Sequence, residues 1–351
     1  LTAPPTNLLL SLPRWEVNMG NNMWFRNDTG TISAIPYAVL VLVIFGLFLI
    51  GMGPVIDEIV SVDNQMMGMA TVTTSPPTAT PTPTPTPTPA PERVQVSGGL
   101  RHSLALWSNG TVEAWGSDSY GRLDVPAGLE ATAISAGADH SLALTADGGV
   151  VAWGDNEDSQ LNVPAGLEAT AISAGEYHSL ALTAGGEVVA WGDNYYGQCD
   201  VPAGLEATAI AAGRSHSLAL CTNGTVVAWG SESDGRCDVP EGLVATKIAA
   251  GGFHSLALRN DGTVAVWGWT GYDICNPPAG LVATDIYAGY RHSLALTADG
   301  EVVGWGDNAS GQYDVPPGLV ATATAAGWYH GLAISADGDL VEWGVVGGIP
   351  E

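Results

Sequence analysis

All seven histidines of this 351-residue chain lie 38 positions apart: His102, His140, His178, His216, His254, His292 and His330. Trp115, Trp153, Trp191, Trp229, Trp267, Trp305 and Trp343 keep the same interval. No insertion or deletion breaks the series, so the second part of the chain is a repeat array, either open or closed.

One unit, residues 207–243, contains three strand signals: ATAIAA (A), the alternating HSLAL (B) and TVVAWG (C). Asn223-Gly224 joins B to C, and Asp261-Gly262, Asp299-Gly300 and Asp337-Gly338 are equivalent hairpin turns. The segment DVPxGL returns the chain to the next unit, its proline unsuited to a regular inner strand. A three-stranded meander cannot bury both faces alone, so neighbouring units stack. Seven units fit a radial ring without exposed end blades. The competing open β-solenoid uses shorter rungs and needs caps. The expected fold is all-β: a seven-bladed β-propeller over 92–351, with about three strands per blade.

Three segments precede it. Residues 1–35 form a short N-terminal segment. Residues 36–67 predict one hydrophobic helix with a stalk extension: 37–56 are almost wholly apolar and long enough to span a bilayer. Arg14 and Arg26 precede this span, while Asp57, Glu58 and Asp63 follow it. The expectation is a single-pass anchor, N-terminus inside and C-terminus outside. Ile56, Ile59, Val60, Met66 and Met67 continue an apolar helical face suited to self-association. Residues 68–91 form a linker whose Thr-Pro run, 76–91, is expected to be an extended polyproline rod roughly 50 Å long. Such runs carry O-linked sugars outside cells; Asn27, Asn109, Asn223 and Asn308 are N-glycosylation sequons.

Charge narrows the partners. The chain has 36 acidic and 10 basic residues, of which five acids and two arginines precede residue 92. That leaves 31 acids against 8 bases, a net −23, on the repeats. Such a surface repels phosphate backbones, which excludes nucleic acid.

The units AWGSDSYGRLDVPAGL (114–129), AGEYHSLALTAGGEVVAWGDNYYGQ (174–198) and AAGGFHSLALRNDGTVAVWG (249–268) resemble RCC1 repeats. The uninterrupted 38-residue form is similar to the bacterial short-repeat, BLIP-II-like branch of that family. The resemblance covers about three-quarters of the chain. It implies a seven-bladed propeller, protein binding through one face, and repeated histidines bonded to backbone near the A–B turn. The eukaryotic member that exchanges nucleotide on a GTPase has longer repeats and a chromatin-binding tail; that activity is not carried over.

Residues that do not repeat point to function. The pair before each HS varies: Leu100-Arg101, Ala138-Asp139, Glu176-Tyr177, Arg214-Ser215, Gly252-Phe253, Tyr290-Arg291 and Trp328-Tyr329. A second pair varies four and five residues after the repeated Trp: Ser119-Tyr120, Glu157-Asp158, Tyr195-Tyr196, Ser233-Asp234, Gly271-Tyr272 and Ala309-Ser310. The A-up, B-down, C-up path places both sets on one rim and the uniform hairpin turns on the other. Tyr120, Tyr177, Tyr195, Tyr196, Phe253, Tyr272, Tyr290, Arg291, Trp328 and Tyr329 are the candidate partner-binding residues, being of the types enriched at interface hot spots. Because the linker enters at the other rim, this face is expected to point away from the membrane.

The repeated Trp is expected to fill space between blades. Blade-related histidines are too far apart to share a metal ion, and no cofactor is expected. Cys199, Cys237 and Cys275 occupy one repeat position and read as packing residues; whether Cys221 pairs is open. No catalytic motif is present. The function read from sequence is a non-enzymatic, membrane-anchored surface module whose propeller face binds a protein or glycan. The alternative is a pilus-like filament subunit, with the helix in the core and the propeller outside.

Overall fold

The computed structural model describes residues 90–345, together with three backbone strands nearer the N-terminus. Those strands, Glu16–Met19, Met23–Arg26 and Ile32–Ile35, form an antiparallel meander with Val17 opposite Phe25 and Phe25 opposite Ser33. The expected hydrophobic helix over 36–67 and the linker up to residue 89 lie outside the described residues. Among the described residues no helix is long and apolar enough to cross a membrane.

From Arg93 onward the chain forms seven antiparallel three-stranded sheets, one per repeat. In blade 1 the inner, middle and outer strands are Arg93–Gly98, His102–Trp107 and Val112–Gly116. Blade 7 closes with Ala321–Ala326, His330–Ser335 and Leu340–Gly344. Inner strands from all seven blades line a channel of about 390 Å³. In each hairpin only the glycine takes positive φ, 80–87°, so it alone needs the freedom glycine provides.

The apolar core is divided into seven inter-blade clusters. Leu104, Leu106 and Val112 of blade 1 pack against Ala131, Ile134 and Trp153 of blade 2. Leu332 and Ile334 of blade 7 meet Val96 and Ala105 of blade 1 in the same way. Each repeated Trp therefore fills the space between blades, and it also has a polar task. The indole N–H of Trp153, Trp191, Trp229, Trp267, Trp305 and Trp343 donates to a carbonyl of the preceding blade's loop, at 2.9–3.0 Å. Trp115 has its partner in blade 7. Its indole donates to the Glu342 carboxylate, and this substitute bond helps close the ring.

The histidines correct the expectation drawn from the family resemblance. Their side chains bond across blades to a serine 39 residues on, not to turn backbone. His102, His140, His178, His216 and His254 place Nε2 2.9–3.0 Å from the Oγ of Ser141, Ser179, Ser217, Ser255 and Ser293. His330 reaches Ser103 at 2.9 Å and joins the last blade to the first. Ser179, Ser217 and Ser255 donate their hydroxyls to the carbonyls of Gln160, Gln198 and Arg236. The imidazoles facing those three serines must therefore donate through Nε2–H. His292 breaks the series, because its partner position is Gly331, where a Cβ would lie 2.3 Å from the Trp343 ring.

Glycine is likewise required before each varied pair. A Cβ on Gly137 would lie 2.5 Å from the His140 ring and 2.5 Å from the Gly175 carbonyl. Small residues there let the blades approach closely enough for the His–Ser contact.

Burial holds all seven imidazoles neutral. It lowers His102, His140, His254 and His292 to about 3, His178 and His330 to about 4, and His216 well below its ordinary value. An unfolded histidine titrates near 6.5, so below that pH the unfolded chain takes up protons that the folded ring refuses. Their contribution to stability is complete above about 6.5 and is lost as pH falls toward 3–4. Glu176, raised by burial to about 7, acts in the opposite direction, as do Asp139, Asp158 and Glu342, which burial also raises; these four carboxyls oppose seven imidazoles. Urea denaturation at pH 7 and pH 5 is expected to show a lower midpoint at pH 5, with net proton uptake on unfolding. An unchanged midpoint would contradict the neutral ring.

Candidate protein-binding rim

The turn from inner to middle strand and the loop after the outer strand meet at one rim because backbone bonds join them. The second residue of each varied pair accepts from the N–H just beyond the outer strand: Ser117 to Arg101, Asp155 to Asp139, Asp193 to Tyr177 and Ser231 to Ser215. Trp269 to Phe253, Asp307 to Arg291 and Val345 to Tyr329 complete the set, at 2.8–3.0 Å throughout. The Asn-Gly and Asp-Gly turns lie at the opposite rim, where the Gly110 and Gly148 carbonyls accept from the first residue of the next inner strand.

The loops after the outer strands are built in two ways. Where the sequence reads Asp-Asn-x-x-Gly-Gln or close to it, as at 193–198, side chains fold the loop. Asn194 Oδ1 accepts from the Cys199 N–H, Gln198 Nε2 donates to Asp193, and Gln198 Oε1 accepts from the Tyr196 N–H. Where arginine replaces that glutamine, its Nε donates back to the loop, Arg122 to the Ser119 carbonyl and Arg236 to that of Ser233. Cys199, Cys237 and Cys275 are half-buried in these loops, each with Sγ 3.2–3.3 Å from a carbonyl. All four cysteines are free thiols. Burial raises Cys199 to about 12 and Cys237 to about 11, which keeps them unreactive near neutrality.

The candidate residues separate into one cluster and four tyrosines that stand outside it. Tyr290 stacks on Trp328 across the seam between blades 6 and 7, centroids 4.3 Å apart and planes 10° from parallel. Phe253 and Tyr329 pack edge-on against Tyr290 at 5.0 and 5.9 Å. The Arg291 guanidinium lies 5.2–5.8 Å from the rings of Phe253, Trp269, Tyr272 and Tyr290. Tyr195 and Tyr196 contact each other at 4.8 Å in blade 3, and Tyr195 is 83% exposed. Tyr120 stands with Arg122 in blade 1. Tyr177 is half-buried beside Glu176.

Three members of the cluster were not singled out as site residues. Trp269 follows a Trp-Gly where the other six blades have Ser, Asp or Val, and that departure was the available signal. Glu176 and Arg214 form an ion pair of 2.7 Å at the channel mouth. Arg214 also donates to the Tyr290 hydroxyl at 2.9 Å, linking blades 3, 4 and 6. Burial raises Glu176 to about 7 despite the opposing pull of Arg214.

Among the described residues, no group of three or more His, Cys, Asp or Glu is placed to hold a metal ion. The rim offers ring edges, guanidinium N–H donors and carboxylates, which is recognition chemistry.

The family profile described as Regulator of chromosome condensation (RCC1) repeat matches residues 131–160, 169–198, 207–236, 245–273 and 283–312, within blades 2 to 6. No curated protein matches the chain. Several solved propellers share the fold. The ectodomain of the Physcomitrella patens receptor kinase CR4 is 24% identical over 74% of this chain and 76% of its own, with TM-score 0.62. The Arabidopsis thaliana ACR4 ectodomain is 22% identical over 73% and 97%, TM-score 0.61. Prp20p of Saccharomyces cerevisiae, described with its binding to Gsp1p and histones, is 20% identical over 70% and 84%, TM-score 0.56.

Tyr272 is held at φ 57° and is 55% exposed. A bulky residue in the left-handed region costs about 1–2 kcal/mol, partly offset in a comparison with glycine by the latter's greater unfolded entropy. Tyr272→Gly is expected to leave stability unchanged or raise it by up to about 1 kcal/mol in chemical denaturation. A loss larger than that would show that Tyr272 is a packing residue.

Proposed function

We propose, from the premise that this chain is an RCC1-like repeat β-propeller, that it is a protein-binding module whose partner docks on the varied rim at blades 5 to 7. The observation that carries this reading is the continuous aromatic and arginine cluster there. Phe253, Trp269, Tyr272, Tyr290, Arg291, Trp328 and Tyr329 meet across three blades. A purely structural need would recur in every blade, as the His and Trp do, whereas Phe253, Trp269, Tyr290 and Trp328 each occur in one blade only, and Tyr272, Arg291 and Tyr329 have counterparts in one or two others. Tyr, Trp and Arg dominate interface hot spots because they bury large area at small entropic cost and keep polar handles.

The apolar stretch 37–56 and the Thr-Pro run 76–91 support a finer reading, in which the module is held at a membrane and displayed outside it on an extended stalk. The inner strand of blade 1 starts at the rim of hairpin turns, and this directs the varied rim away from the point of chain entry.

The test uses the full chain in detergent as bait for surface proteins, beside a Tyr290→Ala/Trp328→Ala variant with unchanged far-ultraviolet circular dichroism. Each hot-spot truncation costs about 2 kcal/mol or more of binding, so the double variant is expected to lose its partner at least tenfold. Equal capture by both proteins would place the binding surface elsewhere, and capture by neither would contradict the module.

A further inference from the structure

Arginines on the varied rim fall into two groups. Arg122, Arg214 and Arg236 each have a carboxylate: Asp139 at 2.7 Å, Glu176 at 2.7 Å and Asp234 at 2.6 Å. Arg101 and Arg291 have no ion pair among the described residues, and the Nε of each is buried without a hydrogen-bond partner. Acids are abundant in a chain with 36 of them against 10 bases. Leaving two guanidiniums unpaired is thus a matter of placement, not of supply.

An unpaired, partly desolvated cation is costly. Arg291 recovers part of that cost from the four rings around it. Ring quadrupoles attract the charge but do not saturate the guanidinium's five N–H donors, whose fork matches a carboxylate. Ring closure puts Arg101 on blade 1 and Arg291 on blade 6, the two blades that flank blade 7, and both act electrostatically on the Tyr329 phenol of blade 7.

We propose that this sector of the rim reads a carboxylate: it takes an acidic segment of a protein partner, whose Asp or Glu pairs with Arg291 and Arg101 while a neighbouring apolar side chain packs on Tyr329 and Trp328. The assignment rests on the rim being the binding face. A sugar fits this sector less well, because stacking needs a free ring face. Tyr290 is covered by Trp328, and Phe253 has three guanidiniums within 5.2 Å. Polyanions such as nucleic acid meet the repulsion of the surrounding acidic propeller. A single carboxylate is admitted because that field is screened beyond about 8 Å at physiological salt.

The experiment is selection from a random dodecapeptide library on the immobilised full chain in detergent, with sequencing of the enriched pool. At least one position is expected to show threefold or greater enrichment in Asp or Glu. That enrichment is expected to vanish on Arg101→Gln/Arg291→Gln. A synthetic winning peptide should bind tenfold or more weakly when its acid becomes the amide, with no further loss when that amide peptide meets the variant. The peptide change reads the pair on the unaltered protein, so the test stands even if the double variant folds poorly. Enrichment in Lys or Arg, or acid enrichment that survives the double variant, would overturn the assignment. Peptides without a carboxylate that are nevertheless lost on Trp328→Ala would overturn it and leave the binding face intact. Selection of no rim-dependent peptide would overturn both.

Discussion

The contact between one blade's imidazole and the next blade's serine hydroxyl sets the geometry on which the rest of the propeller depends. It recurs at six of seven seams, and it demands a neutral, buried ring, a glycine before the varied pair and a close inter-blade approach. Leucine and tryptophan clusters supply the apolar burial, but burial alone is non-directional. Directional bonds from the His Nε2 and the Trp indole fix the rotation of each blade against its neighbour. The same bonds close the circle through Ser103–His330 and Trp115–Glu342.

A scaffold fixed in this way leaves its loops free to differ. Each turn from inner to middle strand is tied to the loop beyond the outer strand by a backbone bond present in every blade, so that tie does not depend on which varied side chains stand there. That division explains how tyrosine, phenylalanine, glycine, arginine and tryptophan occupy one register without changing a strand. At the seam between blades 6 and 7 the His–Ser bond is missing, since Gly331 replaces serine, and the Tyr290–Trp328 stack spans the same seam. There the recognition surface and the inter-blade contact share residues.

The architecture was legible in the sequence because its signals are local and repeated: a histidine and a tryptophan every 38 residues, hairpin glycines and alternating strands. Assignment of the varied pairs to one rim followed from strand direction. The histidine's partner was not legible, since Ser141 lies 39 residues beyond His102 and only ring packing brings them together. The site was read in part. Tyr290, Trp328, Tyr329 and Arg291 were named and meet, whereas Tyr120, Tyr195 and Tyr196 were named and stand apart. Aromatic content ranks positions but does not say which blades are neighbours in the cluster. Trp269 was passed over because it follows the repeated Trp-Gly directly, a position that looks like part of the repeat until its side chain is seen against Phe253 and Arg291.

The central claim is that one rim is built for recognition and the other for turning the chain. Hydroxyl-radical footprinting of the full chain, with and without its captured partner, measures this directly, because aromatic side chains report their own solvent exposure. The account predicts loss of oxidation at Tyr272, Trp328 and Tyr329 on binding. Oxidation at Trp107, beside the hairpin rim of blade 1, is predicted to stay unchanged. Protection at Trp107 with the blade 5 to 7 aromatics still fully reactive would contradict it.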